Sequence, residues 1–150
     1  MAEIRSNRGP RGASQSGQAV IELALTLPLL LVIVMGIFDF GLMFQRYEVV
    51  TNAAREGARV GVLPNYTTAD AQARAQQYLT SGGLSSSSAT IDATVAATTF
   101  GTPAKTVNQV TVTVAYPYTY PFIGPILNLV GGSLGSVTLQ GVSTMRVEGN

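Results

Sequence analysis

The sequence predicts an α+β protein in which a long N-terminal transmembrane helix continues into a small domain outside the membrane. Three observations lead to this prediction. Residues 18–44 form an apolar stretch whose only charged residues are Glu22 and Asp39. Residues 45–63 carry small side chains at helical spacing, and three later segments alternate apolar residues with polar ones, mostly threonine. We therefore expect a second helix and a three- or four-stranded antiparallel sheet after the long helix.

The composition excludes several kinds of catalytic site. The 150 residues include no histidine, cysteine or tryptophan, and nine basic against eight acidic residues give a net charge of +1. Without histidine and cysteine there is no Ser-His-Asp triad, no thiol nucleophile and no zinc site of the usual kind. The near-neutral charge argues against a nucleic-acid partner. We expect a protein that is not an enzyme and that needs no cofactor and no metal.

Residues 1–17 have the character of a basic leader. Arg5, Arg8 and Arg11 lie there against the single acid Glu3. The segment is rich in Gly, Ser and Arg and poor in apolar residues, so we expect it to be disordered. By the positive-inside rule, these arginines place the N-terminus in the cytoplasm and the bulk of the chain outside.

Residues 18–44 are long enough to cross a membrane. At about 1.5 Å per residue they form a helix of about 40 Å, against about 30 Å for the hydrocarbon of a bilayer. A buried core helix of a soluble protein is the alternative, but the length and composition fit a span better. No A-x-A site follows the apolar run, so we expect the segment to remain as an anchor. Pro28 is tolerated in such spans and predicts a bend.

The two acids of this stretch need an explanation. A carboxylate at the middle of a span costs about 2.5–3.5 kcal/mol and usually has a partner. Glu22 and Asp39 can each lie at the headgroup boundary, or each can meet a cation on a neighbouring helix. The second alternative would mean that the protein works in an assembly.

Two strings carry a resemblance to a known family. The string SGQAVIE at residues 16–22 resembles the site at which prepilin peptidases cleave type IV pilin-like proteins, with a glycine at the end of the leader and a glutamate five residues later. A longer match adds LPLLL at 27–31, Gly36, Asp39, Gly41 and NAAREGAR at 52–59. It resembles the TadE family, pseudopilins of the tight adherence (Flp pilus) machinery. The resemblance covers roughly residues 16–61.

The resemblance implies a pilin-like fold and a function in assembly. A prepilin peptidase would cleave between Gly17 and Gln18, and the mature protein would act in assembling a Flp-type pilus or secretion apparatus in the bacterial cytoplasmic membrane. The implied partners are the peptidase, other pilins or pseudopilins, pilus assembly membrane proteins and the lipid bilayer. Glu22 would pair with the amine of a neighbouring subunit, which makes Glu22 and Asp39 the candidate recognition residues.

Two alternatives remain beside the pilus function. One is an uncleaved, signal-anchored envelope protein whose external domain binds a ligand or a partner. The other is a membrane-anchored hydrolase that uses paired carboxylates. For that second alternative the distal domain offers only Asp70, Asp92 and Glu148, with no motif around them.

Residues 45–63 predict that the helix continues beyond the membrane. Ala53, Gly57 and Gly61 recur at every fourth position and form a ridge of small side chains on which another backbone can lie closely. We favour packing of this ridge on the chain's own domain over a contact between subunits. The polar residues that accompany the ridge include Arg55, Glu56 and Arg59.

Residues 64–150 predict the external α+β domain. Thr67 and Asp70 have the spacing of a helix start, and Gly82-Gly83 that of a helix end. Three strand patterns follow, with one apolar face and one face rich in threonine, as in a sheet with one side in water. The connection at 116–132 is apolar, aromatic and broken by prolines. It is either a loop under the sheet or an exposed segment that touches the bilayer surface or a partner.

Overall fold

The computed structural model describes residues 12–147, with side chains described for residues 17–147. Helix α1 (Gly12–Gly61) is followed by α2 (Thr68–Ser81), a short 3-10 turn (Ser86–Ser88) and strand β1 (Thr90–Phe100). The chain then forms β2 (Lys105–Tyr118), α3 (Ile123–Leu129) and β3 (Val137–Arg146). The predicted α+β class is confirmed, and the sheet has three strands.

The three strands form an antiparallel sheet in the order β1-β2-β3. Strand β2 is central, with Ala115 opposite Thr90 of β1 and Gln109 opposite Arg146 of β3. The alternation that predicted the strands sets the two faces. Val110, Val112 and Val114 point from β2 into the core and are at most 1% exposed, whereas the intervening threonines are half-buried on the other face.

The core lies between this face of the sheet and the two longer helices. Side chains of α1 that belong to it include Val50, Ala53, Ala54 and Ala58, all fully buried. Helix α2 contributes Ala71, Ala75 and Leu79, also fully buried. Most of these side chains are alanines, so the helices approach each other and the sheet closely.

The start and end of α2 follow the local sequence signals. The Thr67 side chain accepts a hydrogen bond from the Asp70 backbone N–H, and the Asp70 carboxylate accepts one from the Thr67 backbone N–H at 2.8 Å. This reciprocal capping box satisfies two N–H groups that the helix itself leaves free. At the other end Gly82 is the C-cap, and Gly83 has a φ of +77°, which glycine adopts without strain. Both predicted boundaries of this helix are confirmed.

The hairpin between β1 and β2 extends past the helices. The alternation of Ile91, Ala93 and Val95 with polar residues predicts Val95 on the covered face, but 55% of it is exposed. Val95 pairs with Val110, which lies against Gly61, the last residue of α1. Beyond this pair α1 no longer covers the sheet.

Helix α1 begins before the predicted span. Residues 12–17 are helical, although the sequence predicted disorder for the whole leader. This short stretch contains no proline, and lengthening an existing helix by one residue adds a hydrogen bond without a new nucleation step. The arginines at positions 5, 8 and 11 lie outside the described residues.

Candidate functional site

The first half of α1 extends away from the domain. From Gly17 to Phe38 no side chain is buried, and the most apolar 18-residue window has a mean hydropathy of 2.6. Among the described residues this is the one helix that is long and apolar enough to cross a membrane. With 50 residues, the complete α1 is about 75 Å long, so it can both cross a bilayer and support the domain.

The predicted processing site lies within this exposed half. Gly17 and Gln18 are exposed, and a Cβ placed on Gly17 would meet no atom within 4 Å. Their backbone is helical, whereas a peptidase binds its substrate in an extended form. Cleavage there therefore requires local unwinding near the start of α1.

Glu22 is exposed on the same stretch. Its backbone carbonyl accepts a hydrogen bond from the Thr26 hydroxyl at 2.7 Å, one turn further along the helix. Within residues 17–147 its carboxylate forms no ion pair and no side-chain hydrogen bond. Among residues 17–147, the structure thus brings no partner to this carboxylate.

Asp39, in contrast, is buried, with 1% of its surface exposed. Its carboxylate accepts hydrogen bonds from the backbone N–H groups of Ile123 at 2.7 Å and Phe122 at 3.2 Å, at the start of α3. Its backbone carbonyl accepts a third from the Tyr118 hydroxyl at 2.9 Å. A carboxylate at a helix N-terminus meets N–H groups that have no partner within the helix.

Within the described residues, the partners of the Asp39 carboxylate are therefore backbone N–H groups. The sequence left two alternatives, a place at the headgroup boundary or a cation on a neighbouring helix. The contacts of the carboxylate instead come from two backbone amides of the same chain, more than eighty positions away. Sequence reasoning missed this partner because α3 was not predicted. The one local signal for α3 in the sequence was the apolar, proline-broken segment at 116–132.

Aromatic and basic side chains surround this junction. The Arg46 guanidinium lies over the Tyr118 ring, 5.2 Å from its centroid, and the Tyr120 ring meets Tyr118 edge to face at 5.3 Å. Burial, with the nearby Asp39 carboxylate second, raises the pKa of the Tyr118 phenol, so it remains a donor. A cleft of about 210 Å³ opens beside the junction, lined by Gly36, Asp39, Phe40, Tyr120, Ile123 and Leu134.

The segment 116–132 agrees in part with the second form that the sequence offered, an exposed segment. It is not a loop under the sheet, because β2 continues to Tyr118, which pairs with Val137. The following residues form α3, whose first turn is tied to α1 through Asp39. The side chains at its far end are exposed, Leu129 by 88%.

The ridge of small residues contacts the chain's own domain. A Cβ on Gly57 would lie 2.8 Å from the Ala71 carbonyl oxygen of α2, and one on Gly61 would lie 2.8 Å from a methyl group of Val110. Ala53 is fully buried beside them. The ridge therefore has α2 and β2 as neighbours in this chain, and this face of α1 is not free for another subunit.

The polar residues beside the ridge are at the surface. The Glu56 carboxylate lies 3.2 Å from Arg74 of α2 and 3.8 Å from Arg59. Arg55 donates a weak hydrogen bond to Asn52 at 3.4 Å. Exposed ion pairs of this kind contribute about 0–1 kcal/mol each, so the apolar contacts dominate the packing of α1 on α2.

The acids of the external domain that the structure describes, Asp70 and Asp92, do not form a cluster. Asp70 is used in the helix cap, where bonds from the Thr67 side chain and backbone lower the pKa of its carboxyl. Asp92 is exposed on β1, and Glu148 lies outside the described residues. Across residues 12–147 no group of three or more acidic, His or Cys side chains could hold a metal ion.

Fold and site together define a class: a protein with one candidate membrane-spanning helix that carries a small α+β domain at its C-terminal end. Residues 17–59 match the family model described as TadE-like protein, which confirms the resemblance seen in the sequence over this segment. The match ends within α1, before the external domain. No curated protein and no solved structure gives a significant match to the chain.

Proposed function

We propose that this chain is a minor pseudopilin-like protein that a prepilin peptidase processes and that acts in assembling a Flp-type pilus or secretion apparatus. The observation that carries the proposal is the TadE-like match over residues 17–59, which begins at the glycine of the proposed cleavage site. In this proposal the helix anchors the protein in the cytoplasmic membrane, with the N-terminus inside and the domain outside.

The exposed half of α1 supports a function in assembly. From Gly17 to Phe38 none of its side chains is buried against the domain, so most of the surface of this half is available to lipid or to other helices. Helices in a membrane associate by close packing and by interhelical hydrogen bonds, without a hydrophobic driving force between them. Partners in the proposal are other pilins or pseudopilins and the membrane proteins of the assembly machinery.

Cleavage at Gly17 requires a local change that the sequence makes easy. A glycine inside a helix destabilises that helix by about 1 kcal/mol relative to alanine. Gly17 lies close to the first described residue of α1. Helix ends open readily, so the peptidase can bind the segment around Gly17 in an extended form. The leader then leaves, and Gln18 becomes the new N-terminus.

Glu22 is the proposed recognition residue of the mature protein. It lies four residues beyond Gln18, about one helical turn, and its exposed carboxylate has no partner among the described residues. A new amine on a neighbouring subunit is a suitable partner, because opposite charges that are each costly in a low dielectric are tolerated as a pair. Asp39, already bonded to α3, is left out of this pairing.

Mass spectrometry of the N-terminus tests the processing step. The full chain is produced in cells with and without the peptidase, and we expect a mature terminus at Gln18 only in its presence. Gly17→Phe should abolish this product, and Gly12→Phe, a matched change in the same leader, should leave it intact. An unprocessed terminus in cells with an active peptidase would contradict the proposal and favour the signal-anchored envelope protein.

Glu22→Ala tests the pairing step separately. We expect normal cleavage but reduced recovery of the protein with the assembled pilus or secretion complex. Thr26→Ala removes the neighbouring hydroxyl without changing charge and serves as the control. Unchanged recovery of Glu22→Ala would contradict the role of this carboxylate.

A further inference from the structure

Helix α3 and the turn that follows expose large apolar side chains. Leu129 is 88% exposed, Val130 74%, and Phe122 and Leu134 45% each. We name this part of the chain, residues 122–134, the apolar shelf. Side chains of this kind, grouped on one segment, mark a surface that contacts another apolar phase.

The apolar shelf is fixed to the end of the exposed half of α1. The Asp39 carboxylate accepts hydrogen bonds from the first two N–H groups of the shelf, and the Phe38 and Phe122 rings lie 6.2 Å apart. With seven residues, α3 is about 10 Å long, so every residue of it lies within about 10 Å of its contact with Asp39. Its position relative to the span is therefore set by two direct contacts.

The burial of Asp39 changes the length of the apolar surface on α1. The carboxylate is covered by α3 and does not face the surroundings of the helix. The exposed side chains around it, Phe38, Phe40 and Phe44, are apolar. Without the charge of Asp39, the apolar stretch runs from Leu23 to Phe44, about 33 Å, which fits the roughly 30 Å of bilayer hydrocarbon.

Charged residues mark the two ends of this longer stretch. Glu22 precedes it, and Arg46 is the next charged residue after Asp39. Arg46 lies seven positions beyond Asp39, about 10 Å further along the helix, and packs on the Tyr118 ring. A basic and an aromatic side chain together are typical of the headgroup level. The apolar shelf then lies about 10 Å deeper, among the outer segments of the acyl chains, within the depth to which interfacial helices insert.

The chemistry of the shelf suits that depth. Residues 106–145 contain no Asp, Glu, Lys or Arg. The C-terminal end of α3 is closed by backbone bonds from Val130 and Gly132 to the Leu127 carbonyl and from Gly131 to Asn128. Its N-terminal N–H groups are occupied by Asp39. Backbone groups without partners are costly in lipid, and these bonds satisfy two N–H groups at the start of α3 and two carbonyl groups at its end.

We propose that the apolar shelf is a second membrane contact, lying in the leaflet next to the domain, and that Asp39 clamps it to the span. The occupant of the exposed surface is lipid, because the shelf continues the apolar surface of α1 at the same level. The span crosses the bilayer at one end of the domain, and the shelf fixes how deep and at what angle the domain lies. The inference depends on α1 crossing the membrane and is independent of pilus function.

Tryptophan scanning tests the contact, because the chain has no tryptophan of its own. The full chain with Leu129→Trp is reconstituted in phosphatidylcholine vesicles whose lipids carry bromine at chosen positions of the acyl chain. We expect strong quenching by bromine near the headgroup end, an emission shift to shorter wavelength, and weak quenching by acrylamide. Val95→Trp, at the exposed hairpin, should show the opposite, and Ile33→Trp in the span should be quenched by deeper bromine.

The outcomes separate the shelf from the span. One result would be that acrylamide quenches Leu129→Trp as strongly as Val95→Trp while brominated lipid still quenches Ile33→Trp. This result would overturn the membrane contact of the shelf but leave the transmembrane span in place. If Ile33→Trp also showed no lipid quenching, both would fall. A third result would be that Leu129→Trp is protected from acrylamide but is not quenched by bromine, and that this protection is lost when the protein is diluted in lipid. It would mean that a second copy of the chain, and not lipid, covers the shelf.

Asp39→Ala tests the clamp. In the Leu129→Trp background we expect bromine quenching at position 129 to fall while quenching of Ile33→Trp stays unchanged. Glu22→Ala removes the acid at the other end of the span and should affect neither. Undiminished quenching of Leu129→Trp in the Asp39→Ala variant would overturn the clamp.

Discussion

The two halves of α1 belong to one continuous helix but differ in how much of their surface the domain covers. From Gly17 to Phe38 no side chain is buried, and the apolar residues face outward all round the helix. From Asp39 to Gly61 one face carries small residues packed on α2 and the sheet. Leucine therefore dominates where lipid is the expected neighbour, and alanine and glycine dominate where another backbone is.

The comparison shows that residue size, not only polarity, separates the membrane-facing half from the packed half. A domain that rests on the end of a long helix must bring its backbone close to that helix to bury enough surface. The buried alanines and Gly57 allow this approach. The exposed half has no such requirement, and its large side chains suit contact with acyl chains.

The largest expected effect contrasts two leucines. Leu79→Ala removes a fully buried side chain of the core and should lower the free energy of unfolding by about 2–5 kcal/mol. Leu29→Ala, where the leucine is 63% exposed in the free half, should leave the domain unchanged. Urea unfolding of the full chain in detergent micelles, followed by tyrosine circular dichroism, measures both. Equal effects would break the distinction between the halves.

Two glycines give the next contrast. Gly57→Val places a Cβ that would lie 2.8 Å from the Ala71 carbonyl oxygen, so α1 and α2 must move apart at a cost of about 1–3 kcal/mol. Gly36→Val meets no atom within 4 Å at the added Cβ and should not affect domain stability. The same unfolding measurement compares them. A stable Gly57→Val variant would mean that the packing is looser than the distances indicate.

Asp39, at the border between the halves, should show an intermediate effect. Asp39→Ala leaves the N–H groups of Phe122 and Ile123 without their acceptor and should destabilise the domain by about 0.5–2 kcal/mol. Hydrogen exchange should then increase at residues 122–129 and remain unchanged in β1. Uniform loss of protection throughout the domain would show that the clamp supports the whole fold and not only α3.

The smallest effect concerns pH and lies far from the membrane. The folded-state pKa of Asp70 is lowered below its ordinary value of 3.8 by its bonds with Thr67. Its contribution to stability is therefore complete above that ordinary value and is lost as the pH falls through the lower, folded value. Asp70→Asn should weaken this part of the acid dependence of unfolding. The exposed half of α1 should show no change across the same range.

Much of the fold follows from local sequence signals. Thr67 and Asp70 predict the start of α2 because a capping box involves residues three positions apart. The alternation of Val110, Val112 and Val114 predicts β2 because side chains in a strand point to opposite faces in turn. The apolar run predicts the span because its helical length reaches the thickness of the bilayer hydrocarbon. The candidate processing residues Gly17, Gln18 and Glu22 were likewise identified from contiguous sequence alone.

Contacts between residues far apart in the sequence could be seen only in the tertiary structure. The bond between Asp39 and Ile123 joins positions 84 apart, and no periodicity near either residue encodes it. Helix α3 has seven residues, too few to be stable without its packing on α1, so its propensity alone could not predict it. The sequence by itself determined the long apolar helix, the caps and the strands. Only the folded chain decided which acid is buried, which backbone occupies the ridge of small residues and where the apolar shelf lies, because each depends on which distant segments come into contact.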